Sequence, residues 1–277
     1  MLKIFHLTRE QKMHYTLRIA VAMCFIGHGA FGIITKPVWC NYFAVFGISH
    51  DLSYRLMPLV GSMDVLMGMI VLIYPIRVLP AWLVGWGIVT ASLRPLSGEP
   101  FGELIERAGN FGAPLALLIL SGWNWKNIKD IFRPIDPDRK ADQKTMNRVI
   151  LCLKIVVFLL LTGHGWLNII EKKGLLDQYA SLGFPNPART ALSLGIFEII
   201  AAASILIRPF RTLILILFIW KMCSEFFYPH YELFEWVERG GSYGSLLALW
   251  FALGPSTLPS FGKKFFSKQT VSSQSSL

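Results

Sequence analysis

Charge is scarce in this chain. Only 16% of its 277 residues are Asp, Glu, Lys or Arg, where a soluble domain carries roughly 25%. Apolar residues make up 53% and aromatics 13%, and mean hydropathy is +0.49. This balance excludes an ordinary soluble enzyme and a disordered chain, and predicts a polytopic membrane protein. Acidic residues are the scarcer sign, 17 against 27 Lys and Arg. In a soluble chain the net charge of +10 would suggest nucleic acid. Here it is read as Lys and Arg in cytoplasmic loops, with no nucleic-acid partner. Cysteine is scarce as well. Cys24, Cys40, Cys152 and Cys223 form no CxxC pair, which argues against a thiol relay or a zinc site and for buried, inert thiols. No metal is expected.

Apolar stretches long enough to span a bilayer, at about 20 residues each, recur near 16–34, 58–76, 79–94, 108–122, 149–170, 190–207, 210–227 and 240–254. The predicted fold is all-α, with eight transmembrane helices. The first stretch is not read as a signal peptide, because it has a later copy and no small-residue cleavage site follows it. Basic residues gather in the N-terminal segment, in the linker (Lys126, Lys129, Arg133, Arg139, Lys140, Lys144, Arg148) and in the tail (Lys263, Lys264, Lys268). Eight spans put all three on one side, so both termini are expected to be cytoplasmic, in a plasma or inner membrane. The loops around 95–107 and 228–239, which carry Glu99, Glu103, Glu106, Glu232, Glu235 and Glu238, then face outward.

The chain also repeats itself. Gly27-His28-Gly29 recurs as Gly163-His164-Gly165, an offset of 136 residues. Gly61-x-x-Asp64 recurs as Gly195-x-x-Glu198, Pro75-x-Arg77 as Pro209-x-Arg211 and Trp86 as Trp220, each at 134. Glu103-x-x-Glu106-Arg107 recurs as Glu235-x-x-Glu238-Arg239, at 132. The order is kept throughout, so the chain reads as a duplication. Each copy has an even number of spans, so the copies enter the membrane in the same direction, as two parallel-repeat four-helix bundles. The units are 1–122 and 149–254, joined by a basic linker at 123–148. A basic, Ser-rich tail follows at 255–277 and is expected to be disordered.

Orientation brings three motifs to one depth on the outer side. His28 lies in the outer half of the first span, Asp64 near the outer start of the second, and Glu106-Arg107 at the outer mouth of the fourth. The second copy repeats this with His164, Glu198 and Glu238-Arg239. Ionisable residues within spans are costly and usually face a partner in the bundle interior. A His beside a carboxylate can pass protons. The expected catalytic groups are therefore His28, His164, Asp64 and Glu198. Glu106, Arg107, Glu238, Arg239, Gly27, Gly29, Gly163 and Gly165 are expected to hold a ligand, the glycines by letting a backbone or flat ring come close. Equally, a buried Glu–Arg pair with a His bond could lock four helices in register. Both His residues on one haem is a less favoured reading, since it needs the two bundles to bring them together. His6, His14, His50 and His230 read as solvated surface. Lys221 reads as paired with Glu225 one turn on. Segments 36–50 and 172–187 read as short interfacial helices over the cluster.

A four-span unit with Gly-His-Gly on its first helix, Gly-x-x-Glu on its second and an Arg after that helix resembles the DoxX-like family. Gly163-His164-Gly165, Gly195-x-x-Glu198 and Arg208 or Arg211 carry the resemblance in the second half. The first half has Asp64 for the glutamate and Arg77 for the arginine. The resemblance implies small four-helix membrane subunits, some tied to quinone-linked oxidation of sulfur compounds or to oxidative-stress complexes, here as two units in tandem. The expected function is therefore a membrane oxidoreductase component that binds a quinone near the outer face and works with a protein redox partner there. The alternatives are a non-catalytic scaffold or partner subunit, and thirdly a transporter.

Overall fold

A computed structural model describes residues 7–123, 127–224, 226 and 233–254. Among these the chain is all-helical, with a single isolated bridge between Ile76 and Pro134. The helices are α1 (Arg9–Ile33), α2 (Trp39–Ala44), α3 (His50–Ile73), α4 (Val78–Leu96), α5 (Gly102–Glu106), α6 (Ala108–Leu120), α7 (Gln143–Ile169), α8 (Lys173–Ser181), α9 (Pro187–Ile207), α10 (Arg211–Ser224), α11 (Leu233–Glu238) and α12 (Gly240–Ala252). By length and composition, α1, α3, α7 and α9 could cross a membrane. Local chemistry sets their starts. Thr8 and Gln11 form a capping box on α1, Asp142 accepts from the Thr145 amide on α7, and Asn186 caps α9 ahead of Pro187.

Small residues set the helix spacing. A Cβ on Gly29 would drive into the Gly61 carbonyl between α1 and α3, and one on Gly165 would lie 2.8 Å from the Gly195 carbonyl between α7 and α9. No side chain fits there, so the backbones touch. A third contact joins the halves: a Cβ on Gly241 would lie 2.6 Å from the Gly109 carbonyl between α12 and α6.

The packing departs from two self-contained bundles. α12 packs on α1 and α6 packs on α7, so the last helix of each half lies against the first helix of the other. One core runs through both halves, from Leu17 and Leu117 to Leu153 and Leu249. The physical reason is the apolar surface of α6 and α12. They are buried on several sides, α6 against α1, α4 and α7 and α12 against α1, α7 and α10.

The linker is strapped in place. Buried Arg77 pairs with Asp130 at 2.6 Å and donates to the Ser121 and Asp130 carbonyls. Ile135 enters the core. α7 begins at Gln143, within the stretch expected as linker. His14 is buried, not solvated, because it faces the core side of α1. Its Nε2 has no partner beside a cavity of about 10 Å³, room for about one water. His50 is exposed. His6, His230, Glu225, Glu232, Lys126 and the tail 255–277 lie outside the described residues.

Candidate functional site

Two His–carboxylate pairs form. In the first, α1 presents His28 and α3 presents Asp64. His28 Nδ1 donates to Asp64 Oδ2 at 2.8 Å, and Trp86 Nε1 on α4 donates to Oδ1 at 2.7 Å. Asp64 is fully buried and His28 is 17% exposed, so the imidazole alone reaches open space. The Trp39 ring lies over it, 4.7 Å between centroids and tilted by 35°. In the second pair, His164 Nδ1 meets Glu198 Oε2 at 2.5 Å, and Lys221 Nζ meets Oε1 at 2.7 Å. Asn168, held by the Tyr179 hydroxyl at 2.6 Å, donates to the His164 carbonyl.

The pairs are alike in plan and different in chemistry. Both carboxylates use one oxygen for His and the other for a donor on the third long helix of the half. That donor is Trp86 in one and Lys221 in the other. Trp220, the repeat partner of Trp86, is 44% exposed instead. A Lys at the position equivalent to 221 would fall on Gly87, where a Cβ is already 3.0 Å from the Asn110 carbonyl. Lys221 pairs with Glu198; its expected partner Glu225 lies outside the described residues.

The Glu-Arg motifs cross between halves. A Cβ on Gly27 would lie 2.7 Å from the Glu238 Cα, and one on Gly163 equally 2.7 Å from the Glu106 Cα. Each His is thus flanked by the glutamate of the opposite copy. The four glycines beside the histidines serve backbone contact, and none lines the three cavities that meet this cluster. Arg239 pairs with Glu106 at 3.1 Å, Lys36 with Glu235 at 2.8 Å, and Lys172 with Glu103, all across the halves. Arg107 bonds Glu103 at 2.6 Å, and Arg94 bonds Glu99 at 3.0 Å. Burial opposes ionisation of Glu103, Glu106 and Glu238. The opposing charges win: Arg107 for Glu103, Arg239 and His164 for Glu106, and His28 and Arg107 for Glu238. All three carboxyls are held below their ordinary value. Burial pushes the Tyr42 phenol up, and Glu99, which accepts from it at 2.6 Å, adds to this against Arg94.

Three cavities meet this network. One of about 80 Å³ holds His28, Trp39, Tyr42, Trp86, Arg107 and Glu238. One of about 100 Å³ holds His164, Tyr179, Phe184, Glu198, Trp220 and Cys223. Between the halves, a cavity of about 220 Å³ is lined by ionisable groups of both, including Lys36, Lys172, Lys221, Arg239, Glu106 and Glu238. None of the three contains both histidines. α2 and α8 lie over the two His cavities, through Trp39 and Tyr42 and through Gln178 and Tyr179. Cys223, expected to be buried, is exposed at one of them; Cys24 and Cys40 are buried. Among the described residues no group of three His, Cys, Asp or Glu is placed to hold a metal ion.

Sequence reasoning did not single out Trp39, Tyr42, Trp86, Arg94 or Asn168 as site residues. Lys36 and Lys172 were detectable, since they share the 136 offset of the histidines. The chain matches no protein-family model, curated protein or solved structure.

Proposed function

We propose that the protein is an integral membrane oxidoreductase component that binds a quinone near the outer face, one ring in each His cavity. The observation that carries this reading is the His28 imidazole. It is fixed by buried Asp64 on one nitrogen and faces a cavity walled by Trp39, Tyr42 and Trp86 on the other side. Aromatic walls and one oriented donor suit a flat, apolar ring with a polar edge. At about 80 and 100 Å³ the cavities are below the usual 300–1,000 Å³ of drug-sized sites and match a single ring. A bound quinone would supply a two-electron, two-proton couple. His28 and His164 would hold a proton at Nε2 towards a ring oxygen. Asp64 and Glu198 would orient them, and the central cavity, which shares Trp39, Arg107 and Glu238 with the His28 cavity, would connect that site to water. This reading takes the chain as eight spans in two parallel repeats of DoxX-like type, with both termini cytoplasmic.

The test is binding of a short-chain quinone to purified wild type, His28→Ala and His164→Ala. Each variant should lose binding in its own cavity while its melting temperature falls by no more than a few degrees. Unchanged binding in both variants would end the assignment. A second reading, a membrane scaffold or partner subunit, is favoured by the ion pairs that tie the halves together: Lys36–Glu235, Lys172–Glu103 and Arg239–Glu106. Under it the His variants would lose stability with no ligand to lose.

A further inference from the structure

A cavity larger than the three at the histidine cluster lies away from it. About 620 Å³ opens along the α6–α7 seam toward the linker side. Its wall is apolar, with Leu115, Leu151, Ile155 and Leu159, and Leu151 and Ile155 are 54% and 43% exposed. Val156 packs against Gly112 at its floor, where a Cβ would lie 2.8 Å from the Val156 Cγ1. At one end stand Arg139 and Arg148. Neither guanidinium has a carboxylate within ion-pairing distance among the described residues. Arg139 is seated over Gly122, whose φ of +65° and whose missing Cβ both make room for it. From Thr145 to Leu159 the groove follows α7 for about 21 Å at 1.5 Å per residue. One leaflet's hydrocarbon is about 15 Å deep.

We propose that this seam binds one anionic phospholipid, with its phosphate on Arg139 and Arg148 and one acyl chain along Leu115, Ile155 and Leu159. The charge selects the occupant. Basic pockets between membrane helices on the cytoplasmic side bind anionic headgroups, and a zwitterionic lipid would offer the same chain with a compensated head. The proposal rests on membrane embedding with the linker side cytoplasmic, and stands apart from the quinone reading.

The experiment is native mass spectrometry of the delipidated full chain in detergent, titrated with phosphatidylglycerol or phosphatidylcholine. Wild type should carry one phosphatidylglycerol per chain, at least tenfold tighter than phosphatidylcholine. R139Q/R148Q should lose that preference without a change in melting temperature, since both side chains are exposed. Leu115→Trp, which keeps both arginines and fills the groove, should also lose it. Equal retention of the two lipids by wild type, or undiminished phosphatidylglycerol on either variant, would overturn the proposal. So would displacement of the lipid by millimolar inorganic phosphate, because the chain would then contribute nothing.

Discussion

Replacing Lys221 by Met is the sharpest test of the second cluster. Lys221 is 6% exposed and Glu198 1%, and they meet at 2.7 Å. Met keeps the apolar stem and removes only the charge. Breaking a buried pair by deleting one partner costs about 3–5 kcal/mol, because the remaining charge is left uncompensated. Here His164 stays at 2.5 Å from the other oxygen and keeps its hydrogen bond to it, which argues for the lower end, about 3 kcal/mol. At about 2–4 °C per kcal/mol for a chain of this size, the melting temperature should fall by about 6–12 °C. Thermal unfolding in detergent, followed by tryptophan fluorescence, reads this directly. Glu198→Gln in the same chain removes the orphaned charge, so the double variant should recover about half of the loss. A drop of under about 2 °C for Lys221→Met, or strictly additive losses, would refute the idea that these groups form a single buried unit.

Gly29→Ala should prevent accumulation of folded protein, because its methyl group would enter the Gly61 carbonyl. Gly85→Ala, with open space at its Cβ, should be neutral or stabilising by about 0.5–1 kcal/mol; expression and melting temperature compare the two. Glu103, Glu106 and Glu238 titrate below their ordinary value in the folded chain. Their stabilisation is therefore complete above about pH 4.3 and is lost as pH falls through the folded values. Melting should decline below about pH 4, less steeply in Arg239→Gln; a rise on acidification through that range would contradict the sign. Asp130→Asn weakens the strap on Arg77 and should speed limited proteolysis between 133 and 142 several-fold, with unchanged cleavage arguing against the strap.

Much of the site was readable as sequence because the duplication acts as an internal comparison. His28 with Asp64 and His164 with Glu198 were placed together by their shared offset and by helix direction, and the structure joins both pairs directly. The all-helical class followed from composition, but the starts of α7 and α9 lie upstream of the apolar stretches at 149–170 and 190–207, where Asp142 and Asn186 cap the first turns. The aromatic walls were not readable. Trp39 and Tyr42 reach His28 only because α2 folds over the end of α1, and nine tryptophans in an apolar chain give no sign of which one does so.

Local chemistry, set by residue order alone, therefore determined the helices, the repeat and the four residues of the two His–carboxylate pairs. The tertiary structure decided who completes each pair. Glu106 and Glu238 serve the opposite half because Gly109 and Gly241 let α6 and α12 meet and exchange partners. Lys221 reaches Glu198 where Trp86 reaches Asp64, a change of one residue along a helix, which turns the side chain by about 100°. Offsets in a sequence preserve position along the chain. They do not preserve rotation about a helix axis, or which of two equivalent helices lies nearer, and those depend on how closely the backbones can pack.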